Sequence, residues 1–304
     1  MNRILVIRGG AIGDFVLTLP AIKLLRDRFP RAYIEILGSK LIVALAEKRF
    51  YADATRSIES APLARFFVKD SALAPALINY FSGFDLILSY LYDPDGIFET
   101  NLKRCGSKTF IAGAPKFSEV DRAVCQLARP LERLGLKLKD HAARIFPSAE
   151  DREFARDFVG ANRAITALHP GSGGERKNWP IENWLELGTQ LLSTGCNVLV
   201  VCGEADEDRA RILELAWKKK TVRFAKHLPL PHLAAVLENA VFVGHDSGIS
   251  HIAAAVGARC ILLFGPTDAD IWAPQNQCVT VLRAPGGDLQ LLNIDTVIAA
   301  IENA

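Results

Sequence analysis

An α/β fold of two doubly wound parallel-sheet domains is predicted by three features of this 304-residue chain. Short apolar, β-rich runs alternate with helix-length amphipathic segments, which implies crossover units and parallel sheets. The alternation restarts near residue 164, after a stretch of weak periodicity. Half of the residues are hydrophobic, enough for two buried cores, and the length suits two domains of roughly 100–200 residues each.

In the first half the strands expected are residues 3–7, 33–37, 85–89 and 108–111. In the second half they are 164–168, 197–202, 222–224, 241–243 and 260–263. Helical patterns lie between them, for example 14–29, 181–193, 207–218 and 249–256. Residues 134–147 are rich in Lys and Arg and lead into a short charged helix near 148–159. That zone reads as the linker, giving domains 1–150 and 151–304. Ligands of such sheets bind at the carboxyl ends of the strands. Two such domains face to face place the site in the cleft between them.

Charged residues make up 23% of the chain, ordinary for a soluble protein. The longest apolar stretches run to about six to eight residues, against the about 20 a membrane-spanning helix needs. The N-terminus enters a strand-like segment directly, without the features of a secretion signal, so a cytoplasmic protein is expected. The six cysteines include no C-x-x-C pair. They signal neither a metal site nor a redox pair and read as small buried hydrophobes. The net charge of +2 hides an asymmetry: residues 1–149 carry 22 Lys+Arg against 15 Asp+Glu, whereas residues 150–304 carry 14 against 19. The basic half suggests an anionic partner, a phosphorylated acceptor or an acidic membrane surface. Ordinary scatter of charge is the competing explanation. A nucleic-acid partner is not expected.

Three glycine-rich turns carry the chemistry. Arg8-Gly9-Gly10-Ala11-Ile12-Gly13-Asp14 follows the first strand and opens a helix. Glycines allow a sharp turn and close approach of a ligand, and the helix start offers free N–H groups. Its spacing departs from the G-x-G-x-x-G of dinucleotide sites. Asp14 then has two readings, a carboxylate capping the helix or a general base. The second turn, His169-Pro170-Gly171-Ser172-Gly173-Gly174-Glu175-Arg176-Lys177-Asn178-Trp179-Pro180, combines glycines, a hydroxyl and a lysine suited to a diphosphate. It lacks the Walker ending, so ATP hydrolysis is not signalled; a solvated surface loop is the alternative. The third, Gly244-His245-Asp246-Ser247-Gly248-Ile249-Ser250-His251, sets small residues at a helix start, a ready anion site, with His251 in reach of a phosphate. Its alternative is a capping Asp246 and a packing histidine. The G-x-S-x-G elbow of a hydrolase is absent. A carboxylate in Gly203-Glu204-Ala205-Asp206-Glu207-Asp208 has the place of a ribose ligand or of an acidic first helical turn.

Together with Thr18-Leu19-Pro20-Ala21, Trp184, Ala253-Ala254-Ala255, Gly257 and Leu263-Phe264-Gly265-Pro266-Thr267, these turns form an ordered set spanning nearly the whole chain. In it the sequence resembles the ADP-heptose:lipopolysaccharide heptosyltransferase family, glycosyltransferase family nine. The resemblance implies a GT-B fold and an inverting transfer from a nucleotide-diphosphate sugar, ADP-heptose, to a hydroxyl of a lipopolysaccharide-core or other glycan. It implies no obligatory metal and no further cofactor. Asp14 would be the general base of an acceptor-binding N-terminal domain. In the donor-binding C-terminal domain Lys177 would hold the phosphates, helped by Ser172 and Gly173. Ser247, Gly248 and His251 would bind the diphosphate, Asp246 the donor sugar and Glu207 the ribose, with Glu204 as the substitute. The last helix would pack back on the N-terminal domain. The acceptor would be an anionic glycan or glycolipid, with peripheral contact at the inner face of the inner membrane. One departure concerns the acceptor: Tyr90-Leu91-Tyr92-Asp93-Pro94-Asp95-Gly96 stands where family members carry a D-x-Q-G type stretch. Competing readings are a catalytically silent sugar-nucleotide-binding protein, a GT-B-like sugar-nucleotide epimerase and a nicotinamide-dependent dehydrogenase. The joint presence of Asp14, Lys177 and His251 speaks against the first, Lys177 and the signature of residues 246–251 against the second, and the missing G-x-G-x-x-G against the third.

Overall fold

The computed structural model describes residues 1–113, 117–118, 120–160, 164–218 and 220–303. The chain divides into two compact units, Met1–His141 and Ala142–Ala304, a boundary earlier than the one expected after residue 150. The segment after His141 is already tied into the second unit. The Ile145 amide donates to Ala255 O at 2.8 Å, and Asn276 Nδ2 donates to Ala143 O at 2.9 Å.

Unit 1 holds strands β1 (Arg3–Arg8), β2 (Tyr33–Gly38), β3 (Ala54–Ser57), β4 (Leu86–Ser89) and β5 (Phe110–Ala112). Its helices are α1 (Ile12–Arg28), α2 (Lys40–Val43), α3 (Pro75–Ser82), α4 (Ile97–Arg104) and α5 (Ala123–Ala128). All strand pairs are parallel, in the order β3-β2-β1-β4-β5. Successive strand residues point to opposite faces. Leu5, Ile7, Leu37 and Ile87 therefore pack with Phe66, Phe81, Phe84 and Phe98 in one core, while Ile4, Val6, Ile34 and Ile36 are buried on the other face. A sheet covered on both sides reads as continuous apolar runs, which is what made β1 and β2 visible in the sequence.

Unit 2 holds α6 (Ala149–Val159), β6 (Thr166–Leu168), α7 (Ile181–Ser193), β7 (Val198–Cys202), α8 (Glu207–Ala216), β8 (Arg223–Lys226), α9 (Leu230–Leu237), β9 (Val241–His245), α10 (Gly248–Ala255), β10 (Arg259–Phe264), α11 (Ala269–Trp272), β11 (Val279–Arg283) and α12 (Ile294–Glu302). The parallel order is β11-β10-β9-β6-β7-β8. Alternation again splits the sheet between two cores. Ala167, Leu199, Val201, Phe242, Cys260 and Leu262 enter one, and Leu168, Val198, Val200, Val243, Ile261 and Leu263 the other. The last helix, α12, packs on α7 and β10 within this unit.

Both sheets are doubly wound. The chain runs outward from β1 through β2 to β3 and then returns to β4 beside β1. In the second unit it runs outward from β6 to β8 and returns to β9 beside β6. Each reversal opens a crevice at the carboxyl ends of the two adjoining strands, where such folds bind ligands. The three glycine-rich turns leave β1, β6 and β9 at these two places. Among the described residues no helix is long and apolar enough to cross a membrane.

Candidate active site

In unit 1 the turn after β1 is shaped around Asp14. Gly10 has φ +96°, and a Cβ there would sit 2.8 Å from Asp14 Oδ2; a side chain is excluded by backbone and space alike. The Asp14 carboxylate accepts the Ala11 amide at 3.1 Å, satisfying one of the free donors of the helix start. Asp14 is 31% exposed, and Arg8 Nη2 lies 3.4 Å from its Oδ1. The capping geometry and an accessible carboxylate thus coexist in one side chain. Arg8 was not singled out from sequence, yet it organises this turn. It is buried, and its Nε donates to Thr18 Oγ1 at 3.0 Å and to Asp14 O at 3.3 Å. Its guanidinium stands 5.6 Å from the centre of the Tyr90 ring. Desolvation pushes the Arg8 pKa below its ordinary value, and the charge of Asp14 opposes that shift. Nη2 has no aligned hydrogen-bond partner, so it meets Asp14 as a charge rather than as a tight hydrogen bond. Tyr90 is buried and donates its hydroxyl to Leu127 O at 2.7 Å.

The remaining expected residues lie in unit 2. The turn after β6 is held by side-chain hydrogen bonds, while Gly173, Glu175 and Arg176 in its middle are exposed. Ser172 Oγ donates to Asn178 Oδ1 at 2.9 Å, and the Trp179 amide donates to His245 Nε2 at 2.8 Å. Trp179 Nε1 donates to Leu292 O at 3.0 Å, with its ring edge-on to Trp184 at 5.4 Å. Gly173 has open space around its Cα. Lys177 ends a single helical turn and reaches Asp246 Oδ2 at 2.7 Å; the two side chains are 37% and 11% exposed. The structure therefore brings the expected phosphate ligand and the expected sugar ligand together as an ion pair.

Helix α10 is capped by Ser247 rather than by Asp246: Ser247 Oγ accepts the Ser250 amide at 3.3 Å. Gly248 is the first helical residue, and His251 lies in the first turn, buried. The N-terminus of α10 thus leaves the switch point of the sheet with its free amides and positive dipole end, the usual setting of a bound anion. Beneath it lie two histidines that sequence reasoning gave no role. His245 is fully buried. Burial, reinforced by the neighbouring His169, pushes its pKa down to about 3. It is therefore neutral, accepting the Trp179 amide at Nε2 and meeting Gly171 O at 3.5 Å through Nδ1. His169 Nε2 lies 3.1 Å from Asp206 Oδ2, and its Nδ1 lies 3.4 Å from Ser247 Oγ. Burial alone would raise the Asp206 pKa, but the hydrogen bond and charge of His169 hold it below the ordinary value. Strand-terminal histidines directly after β6 and at the end of β9 were the available sequence signal. Their partners are 37 to 78 residues away.

Gly171 is forced by this cluster, since a Cβ there would fall 1.7 Å from Asp206 Oδ1. Gly171→Ala is expected to displace that carboxylate from His169. The overpacking cost is about 1–3 kcal/mol, seen as a lower denaturant midpoint with unchanged slope. An unchanged midpoint would mean that the Asp206 side chain is free to move.

Glu207 stands apart from the Lys177 cluster, at the start of α8. It is exposed, and its Oε1 lies 2.9 Å from His227 Nε2, another residue not foreseen. All six cysteines are free; Cys105, Cys202 and Cys260 are buried. Among the described residues no three His, Cys, Asp or Glu side chains gather as metal ligands.

The pattern has known counterparts. The chain is 34% identical over 127 residues to lipopolysaccharide heptosyltransferase 1 of Escherichia coli, a stretch covering 41% of this chain and 39% of that relative. It thus spans about two fifths of the length of the relative it matches. Its fold is that of a glycosyl transferase of family 9 from Veillonella parvula (TM-score 0.80, 17% identity, 99% of this chain and 96% of that one). It is also that of the E. coli heptosyltransferase WaaC solved with ADP (TM-score 0.76, 19% identity, 99% of both chains). The architecture is therefore GT-B. The family model for glycosyltransferase family 9 (heptosyltransferase) matches residues 113–293, more than half of the chain, and the chain belongs to that family.

Proposed function

We propose that this protein is an inverting glycosyltransferase that moves a heptose or related sugar from a nucleotide-diphosphate donor, ADP-heptose, to a hydroxyl of a lipopolysaccharide-core glycan. The observation that carries the reading is the Lys177–Asp246 pair beside the N-terminus of α10, at the switch point of the donor-side sheet. The leaving nucleotide-diphosphate gains negative charge in the transition state. A lysine and a helix N-terminus supply positive potential there, with Ser172, Gly173, Ser247, Gly248 and His251 around the phosphates. Asp246 accepts hydrogen bonds from the sugar, and Glu207, at the start of α8, from the ribose. Asp14 takes the proton of the acceptor hydroxyl as the new bond forms at the anomeric carbon, so one displacement inverts its configuration. The choice of adenine leans on the relative solved with ADP.

A thermal-shift comparison of ADP, UDP, GDP and NAD tests the donor, because a ligand bound only by the folded state raises the melting temperature. ADP is expected to give the largest shift. A shift with NAD alone would overturn the reading. The anomeric configuration of the product, read by NMR, tests inversion.

The acceptor is proposed to be an anionic glycan or glycolipid docking on unit 1, on the strength of the net +7 of residues 1–149, with peripheral contact at a membrane surface. Attraction between exposed charges is screened over about 8 Å at physiological salt. Acceptor KM is therefore expected to rise between about 0.05 and 0.5 M salt, and donor KM to rise less. A flat acceptor KM would make the basic charge incidental.

A further inference from the structure

The hydrogen bonds beneath α10 constrain where their protons lie. Ser250 Oγ is hydrogen-bonded to His245 O, and a carbonyl only accepts, so the single Ser250 hydroxyl proton is spent there. Ser247 Oγ lies 3.1 Å from Ser250 Oγ and farther, at 3.4 Å, from His169 Nδ1; in the arrangement that keeps both contacts as hydrogen bonds, Ser247 donates its one proton to Ser250. His169 Nδ1, 3.4 Å from Ser247 Oγ, is then left to donate. On the other side of the ring, Nε2 faces Asp206 Oδ2 at 3.1 Å, and an ionised carboxylate only accepts. In that arrangement both ring nitrogens of His169 are donors, which only the imidazolium provides.

The surroundings agree. His169 is 2% and Asp206 5% exposed, and a buried carboxylate is retained where an opposite charge and hydrogen bonds hold it. Asp206 Oδ1 has no hydrogen-bond partner, so the His169 ring is the principal compensation of that charge, with a long contact of 3.4 Å from the Gly203 amide. The groups that face the ring are Asp206 from the turn before α8, Ser247 from the cap of α10, and from β9 the Phe242 ring at 6.3 Å and neutral His245. Arg209 of α8 is a charged neighbour of His245.

We propose that His169 is doubly protonated in the folded protein and, held by Asp206, is the positioning residue that fixes the Ser247 cap and so aims the N-terminus of α10 at the donor diphosphate. The aiming role rests on the donor reading above; the protonation state does not. Neither residue is among the proposed donor contacts. Both act through Ser247, whose lone pairs are taken by His169 Nδ1–H and the Ser250 amide and whose proton is taken by Ser250.

The test has two independent arms. In the whole ligand-free protein, nitrogen NMR of the histidine side chains should show both His169 ring nitrogens protonated at neutral pH and one unprotonated nitrogen on His245. In Asp206→Asn, which keeps size but removes the charge, the second His169 proton should be lost. A neutral His169 ring in the unsubstituted protein overturns the proposal whatever the donor proves to be. In the second arm, calorimetry follows ADP affinity against pH. It should weaken as the ring gives up its second proton. His169→Gln, whose amide can reach Asp206 but not Ser247, should bind ADP about tenfold or more weakly, as expected for loss of a charge-assisted contact. Its pH profile should lack that step, the titration of ADP itself being common to both proteins. Equal ADP affinity and the same pH step in His169→Gln overturn the positioning role. Failure of the unsubstituted protein to bind ADP overturns the donor reading and the aiming role together, while the NMR arm decides the protonation on its own.

Discussion

Asp14→Asn is expected to slow transfer by about 10²–10⁴, the usual cost of losing a general base, while ADP affinity stays unchanged. Asparagine keeps the size of the side chain and an oxygen that can accept the Ala11 amide, held at 3.1 Å by the aspartate. The start of α1 should therefore survive. What it loses is the second oxygen and the charge facing Arg8 Nη2 at 3.4 Å, and with them any capacity to accept a proton. The proposed donor contacts all belong to unit 2, so calorimetric ADP binding separates a chemical defect from a binding defect. Single-turnover transfer within about tenfold of the unsubstituted rate would reduce Asp14 to a helix cap.

Lys177→Ala is expected to weaken ADP binding by about 10- to 150-fold, the worth of one charge-assisted contact. The upper part of that range is the expectation here, because the substitution also strands Asp246. That carboxylate is 11% exposed and now held by the ammonium at 2.7 Å. Alone, it would stand against the incoming phosphates. Lys177→Ala combined with Asp246→Asn should therefore bind ADP more tightly than Lys177→Ala by itself, a non-additivity expected of residues in direct contact. Lys177→Arg should recover only part of the loss, since a planar fork replaces a compact charge. Titration calorimetry with ADP measures all of these. Unchanged affinity in Lys177→Ala would place the phosphates elsewhere.

The sequence showed every central strand and two of the four edge strands, and hid the other two. Central strands β1, β7 and β10 are unbroken apolar runs. The two strands that went unread, β3 and β11, are sheet edges. β3 is Ala-Thr-Arg-Ser with its side chains partly in water, and β11 is nowhere fully buried. A strand with one neighbour needs less apolar side chain, so it carries less signal. The site divides in a similar way. Its glycine-rich turns were visible because they break periodicity at strand ends. The roles of Arg8, His169, Asp206 and His227 were not, because each is defined by what it touches. Asp206 looked like one of several acids in the first turn of a helix. Only the approach of His169 from β6 distinguishes it from exposed Glu207 next to it.

The ion pair of Lys177 and Asp246 also bears on how a turnover ends. In the proposed reaction a bound sugar-nucleotide occupies both partners, the phosphates taking the ammonium and the sugar hydroxyls taking the carboxylate. Transfer removes the sugar and leaves Asp246 with nothing to accept from, beside a nucleotide product that now carries extra negative charge. The carboxylate then competes with the product for Lys177, and the competitor is a covalent part of the protein, always at hand. Departure of the spent nucleotide is thereby favoured after transfer and not before it. Once the nucleotide has left, Lys177 and Asp246 can pair as they do in the structure, so neither charge is left without a partner.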